Sequence, residues 1–207
     1  MKLVIAPHVD DEVLGCGGIL DSSFHILHLG LAENALHGNT NYSRTDRLKE
    51  FALVLQELGI SPSNHTLLNH PVNNYKQQTL ISDIEKIINN LKPLEIYIPH
   101  PSYNQDHREV YEACLVALRP HDINYFVKRV FVYEQPQVSL WNHNYKSFNP
   151  TYFVPVNIEK KIKLYNYLAS QVRDFRSSEC ITAMAKLRGS QSRLEYAEAF
   201  EMLRFLS

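Results

Sequence analysis

An apolar run that stops dead on a cluster of acids constrains this chain most. Leu3-Val4-Ile5-Ala6 ends at Pro7, and His8, Asp10, Asp11 and Glu12 follow at once, then Gly15, Gly17 and Gly18. An apolar run ending in turn chemistry reads as a buried strand. The polar cluster then lies at a strand's carboxyl end, where open α/β sheets place their sites. Residues 95–99, EIYIP, repeat the arrangement and run into HPSYNQDH.

The remaining pattern predicts strands over 2–6, 24–29, 66–68 and 129–134, with 152–156 as the last. A short helix follows the acids. Helical spacing predicts 44–58, with Leu48, Phe51, Ala52, Leu55 and Leu58 facing inward, Ser43 as cap and Gly59 as stop. Leu80, Ile84, Ile87, Ile88 and Leu91 mark a helix over 80–91, and another is expected from His107 to about Leu118. From Ile158 the chain reads as mostly helical to its end, and an apolar carboxyl-terminal helix would offer a possible homo-oligomer its interface. Strands alternating with helices imply an α/β fold, a mostly parallel sheet with helices on both faces. The 207 residues suit a single domain, 1–207. Polar stretches 30–43, 70–78 and 135–150 follow successive strands and would shape a pocket.

A net charge of −1 supplies no basic field for nucleic acid or an anionic membrane. Cys16, Cys114 and Cys180 are odd in number and far apart, so a disulfide framework is not expected and a reducing cytoplasm fits. No apolar stretch approaches the ~20 residues that span a bilayer, and the amino terminus lacks the form of a signal peptide. The expected location is cytoplasmic, with no integral membrane segment.

Three readings compete for residues 7–18. Helix capping accounts for one or two of the acids but leaves His8 idle and the carboxylates crowded. A dinucleotide-binding turn is opposed by the G-x-G-G spacing and by three acids that would repel a pyrophosphate. A metal site uses the whole cluster. His8 and Asp11, either side of a tight turn, can converge on one ion, and zinc takes such nitrogen and oxygen donors. Asp10 can then point at the water as general base. The glycines let the first helix approach the sheet.

The second cluster holds His100, Asn104, Gln105, Asp106 and His107. Asp106 with Glu109 three residues on reads as a capping box. His107, in the first helical turn, is positioned to be a third ligand, and His100 to be a supporting donor or substrate contact.

With both clusters in view, the chain resembles the zinc-dependent N-deacetylases of the LmbE-like, or PIG-L, family. Pro7-His8-Val9-Asp10-Asp11-Glu12 with the glycines matches the family's first motif, and Gln105-Asp106-His107 its second. Arg47, Glu50 and Leu58-Gly59 match an intervening helix; Ser170-Gln171, Arg188-Gly189 and Ala197-Glu198-Ala199-Phe200 match later motifs. The resemblance implies a Rossmann-like fold and hydrolysis of an amide C–N bond, removing acetate from a small-molecule N-acetylglucosaminyl conjugate. It implies zinc on His8, Asp11 and His107, with Asp10 as general base. Asp106 becomes a carboxylate orienting a neighbouring proton carrier, and Arg47 a contact to substrate hydroxyls or phosphate. Asn104 stands where many members carry His, and Asn cannot carry a proton. It remains a candidate oxyanion donor, while Asp10 or His100 must deliver the proton to the amine. Tyr103, Trp141 and Tyr145 are candidates for stacking on a sugar ring. Two alternatives remain: an inactive sugar- or nucleotide-binding module on the same fold, favoured by Asn104, and a magnesium-dependent phosphatase, disfavoured by two His ligands.

Overall fold

The computed structural model describes residues 1–31, 42–136, 141 and 146–207. A seven-stranded sheet runs through it in the order β3-β2-β1-β4-β5-β7-β6. The strands are β1 (Lys2–Ala6), β2 (Phe24–His28), β3 (His65–Leu67), β4 (Glu95–Pro99), β5 (Arg129–Tyr133), β6 (Tyr152–Pro155) and β7 (Ala197–Phe205). From β3 to β5 every pairing is parallel, and β7 lies antiparallel between β5 and β6.

The apolar runs alternate faces as a pleated strand requires. Leu3 and Ile5 face α3 (Gln77–Leu91) and α4 (Gln105–Ala117), whose buried Ile84, Ile88, Val110 and Cys114 complete one core. Val4 with Phe24, Ile26, Phe131 and Tyr133 faces the other, covered by α1 (Asp11–Cys16), α2 (Arg44–Leu58), α5 (Ile158–Tyr167) and α6 (Ser178–Ser192). The expected mostly parallel sheet with helices on both faces is therefore what forms. Among the described residues no helix is long and apolar enough to cross a membrane.

Two expectations are corrected. The chain does not end in helix: residues 197–205 form the longest strand, and 152–155 is not the last. Ala, Glu, Met and Leu favour helix locally. The open edge of β5 and the aromatic packing of Phe200, 5.3 Å from Tyr97 between ring centroids, override that preference. On α2, Ser43 and Asp46 form a capping box and Gly59 stops the helix at φ 65°, both as the sequence implies. Its inner face, however, carries Arg47, Phe51, Val54, Leu55 and Leu58, while Leu48 and Ala52 are exposed. Phe51 packs on the rings of His28 and His65, a polar surface that apolar spacing does not reveal.

Connections leave β1 towards β2 on one side and later return to β4 on the other. The carboxyl ends of β1 and β4 thus flank the switch point at which such sheets open a crevice.

Candidate active site

His8 lies just past β1, after Pro7, and is buried. Its Nε2 donates to Asp106 Oδ2 at 2.9 Å, so in the neutral ring, the form that binds a metal, Nδ1 carries the lone pair. That Nδ1 lies 3.3 Å from Asp11 Oδ2, and His107 Nε2 approaches the same oxygen at 3.2 Å. The Asp11 carboxylate also accepts the His8 backbone N–H, and Gln135 Nε2 donates to its other oxygen. Burial pushes the His8 imidazole down, but the hydrogen bonds and charges of Asp106 and Asp11 outweigh it and raise it to about 10. Burial likewise opposes ionisation of Asp11, yet His107 and His8 hold it well below the usual carboxylate range.

Asp10 has φ 143°, a conformation L-residues rarely adopt. Three contacts hold it: its N–H donates to Glu12 Oε2 at 3.1 Å, its carbonyl accepts from Leu14 N, and its Oδ2 meets Arg176 Nη1 at 2.9 Å. Burial raises the Asp10 carboxyl to about 6 even with Arg176 opposing the rise. Strain of this kind persists only where the surroundings over-determine it. Gly15, one turn on, lets α1 lie against Tyr133; an added Cβ would overlap that ring.

At the end of β4 the cap is Asn104, not Asp106: Asn104 Oδ1 accepts from Asp106 N and the helix starts at Gln105. Asp106 is unavailable for capping because its Oδ2 serves His8 Nε2 and the backbone N–H of Asn73. The imidazole that Asp106 orients is that of His8. Asn73, at φ 63°, and Tyr75, whose hydroxyl donates to Pro7 O, bring the 70–78 stretch over this cluster as a wall.

Arg176 was not singled out by the sequence. It sits in a short 3-10 turn, 174–176, with no apolar periodicity to announce it. Glu50 anchors the segment before it, accepting from Ser170 N at 2.9 Å and from Ser170 Oγ. The R-x-x-E and Ser-Gln motifs therefore meet, and their meeting delivers Arg176 to Asp10. Gln135, on Asp11, was also missed; its signal is its place just past the end of β5.

Arg47 is buried on α2, and His100 is fully buried, its Nδ1 on Pro101 O and its Nε2 3.8 Å from Glu201. Tyr103 and Trp141 are exposed, and Tyr145 lies outside the described residues, as do most of the 30–43 stretch and half of the 135–150 stretch.

His8, Asp11 and His107 are the one group among the described residues whose donor atoms all lie within 4.8 Å of one another. Two imidazoles and a carboxylate, buried and converging, with a second carboxylate behind one imidazole, fit a divalent cation. Among the described residues, the buried Nδ1 of His107 and Oδ1 of Asp106 have no hydrogen-bond partner.

A family model described as PIG-L, GlcNAc-PI de-N-acetylase, matches residues 3–118. No curated protein sequence matches the chain. Among solved structures, a conserved protein from Thermus thermophilus aligns with a TM-score of 0.75 at 24% identity, over 100% of this chain and 95% of that one. N,N'-diacetylchitobiose deacetylase from Pyrococcus horikoshii aligns at 0.78 and 19% identity, over 98% and 83%. The 4-carboxy-2-hydroxymuconate hydratase from Pseudomonas putida aligns at 0.72 and 18%, over 100% and 98%. At these identities the likeness establishes the fold, which a deacetylase and a hydratase share.

Proposed function

The chain belongs to the PIG-L family, and on that premise we propose that it is a zinc-dependent hydrolase removing the acetyl group from an N-acetylglucosaminyl conjugate. One observation carries the reading: the His8, Asp11 and His107 donors converge beside a strained, buried Asp10. Polarisation of the amide carbonyl and acidification of a water are what a zinc ion on those residues supplies.

The chain's own groups do the rest. With Oδ2 of Asp10 engaged by Arg176, Oδ1 takes the proton of the attacking water. A C–O bond forms at the acetyl carbon, the C–N bond breaks, and Asp10 passes the proton to the departing amine, leaving acetate and an amino sugar. Asp106 fixes the His8 ring through Nε2 and keeps Nδ1 turned to the site. Asn104 spends Oδ1 on its cap, so only its amide N–H groups remain for the oxyanion or a sugar hydroxyl. Arg47 is the proposed partner for hydroxyls or phosphate of the conjugate, and His100 supports the rim from behind.

The test is amine release from a panel of N-acetylglucosaminides by the zinc-loaded protein. We expect turnover in the parent protein. In Asp10→Asn a rate lower by about 10²–10⁴ is expected, with metal content unchanged. Full activity in Asp10→Asn would overturn the assignment of the base. Bound zinc with no amine from any donor would favour a binding module instead.

A further inference from the structure

Beneath the site, two histidines on neighbouring strands have no part in the chemistry above. His28, at the end of β2, is fully buried. Its Nε2 lies 2.7 Å from Glu12 Oε2, and its Nδ1 lies 3.0 Å from Nε2 of His65 on β3. Glu12, also fully buried, uses that same Oε2 to accept the Asp10 backbone N–H. Phe51 closes the assembly, its ring 4.7 Å from His28 and 4.6 Å from His65.

The tautomers follow from the acceptors. A carboxylate only accepts, so His28 Nε2 carries a proton and its Nδ1 accepts from His65 Nε2–H. The result is a directed chain, His65 to His28 to Glu12, ending on the carboxylate oxygen that also accepts the peptide N–H of Asp10, the one non-glycine residue near the site with φ as large as 143°. An isolated Glu12 carboxylate could swing off a strained amide. One clamped from behind by a buried donor cannot.

We propose that His28 is a positioning residue for the reaction: through Glu12 it holds the Asp10 backbone in its strained conformation and so aims the Asp10 carboxylate. The proposal rests on the deacetylase reading for its kinetic consequence, but not for its structural one.

The experiment compares the zinc-loaded parent with His28→Leu, which removes the donor, and His28→Gln, whose amide can donate to Glu12. His28→Leu is expected to lower kcat by about 10²-fold, the scale of a misaimed catalytic group, with KM and zinc content unchanged. His28→Gln is expected to recover most of that loss. Independently of turnover, the Asp10 amide proton resonance of the metal-free protein should shift upfield in His28→Leu and return in His28→Gln. His65→Phe, breaking the outer link, should give a smaller shift of the same sign and stands in should His28→Leu not fold. An Asp10 amide resonance unmoved in the folded variants overturns the proposal. If the parent releases no amine, the deacetylase reading fails while the resonance still decides whether His28 holds Asp10.

Discussion

Arg176 Nη1 stands 2.9 Å from Asp10 Oδ2, joining the proposed base at the start of the chain to a short turn near its end. Arg176 is largely buried, so the contact is poorly screened. It engages Oδ2 and so leaves Oδ1 as the oxygen for the proposed proton transfer. Arg176→Met should lower kcat by about 10²-fold, because the base loses its orientation rather than its presence. Arg176→Lys keeps the charge but not the planar fork, and should fall between. Zinc content should stay at the parent level in both, since the ion pair of Arg176 is with Asp10 and not with one of the proposed ligands. Steady-state kinetics beside metal analysis checks this; parental kcat in Arg176→Met would remove Arg176 from the account.

Asp106 acts one bond further from the chemistry. It accepts from His8 Nε2, which sets the tautomer and ring angle of a proposed ligand. Asp106→Asn should weaken zinc binding by about 10- to 100-fold, the usual effect of removing such a partner. Competition with a chelator measures this directly, without a substrate. An unchanged affinity would mean that packing alone orients His8.

The convergence of His8, Asp11 and His107 was legible because both halves of the cluster follow apolar runs that can only be buried strands. His8, Asp11 and His107 are brought together by two strand ends, and strand ends are local information. Arg176 and Gln135 were not legible, because each reaches the site through a pairing of distant segments that leaves no periodic trace. The Asn104 cap was displaced from Asp106 for a related reason: the sequence offers two good caps, and only the position of His8 decides which carboxylate is spent elsewhere. The last strand was hidden by helix-forming residues whose strand state depends on the free edge of β5.

Gly15 is required by a close approach rather than by its backbone angles. A Cβ there would overlap Tyr133 Cδ2. Tyr133 cannot retreat, because it is fully buried and its hydroxyl donates to Ile5 O at 3.0 Å. Gly15→Ala should therefore push α1 off the sheet and destabilise the fold by about 1–3 kcal/mol, the range for overpacking a core. Denaturant unfolding followed by far-UV circular dichroism measures it. A midpoint equal to the parent's would show that the helix accommodates the methyl.

His65 gives stability a pH dependence of definite sign. Burial, with His28 and His25 nearby, lowers its pKa from the usual 6.5 to about 3. Above about pH 6.5 it is neutral folded or unfolded and contributes no slope. Below that pH the unfolded chain takes up a proton that the folded one refuses, so stability falls as pH drops from about 6.5 towards 3. His65→Gln removes this linkage. Its unfolding free energy should decline less steeply than the parent's across that window, by the equivalent of at most one proton. The difference between parent and variant should be flat above pH 7. Urea titrations at half-unit pH steps resolve the two slopes, and parallel curves between pH 6.5 and 4 would show that His65 is protonated in the folded protein.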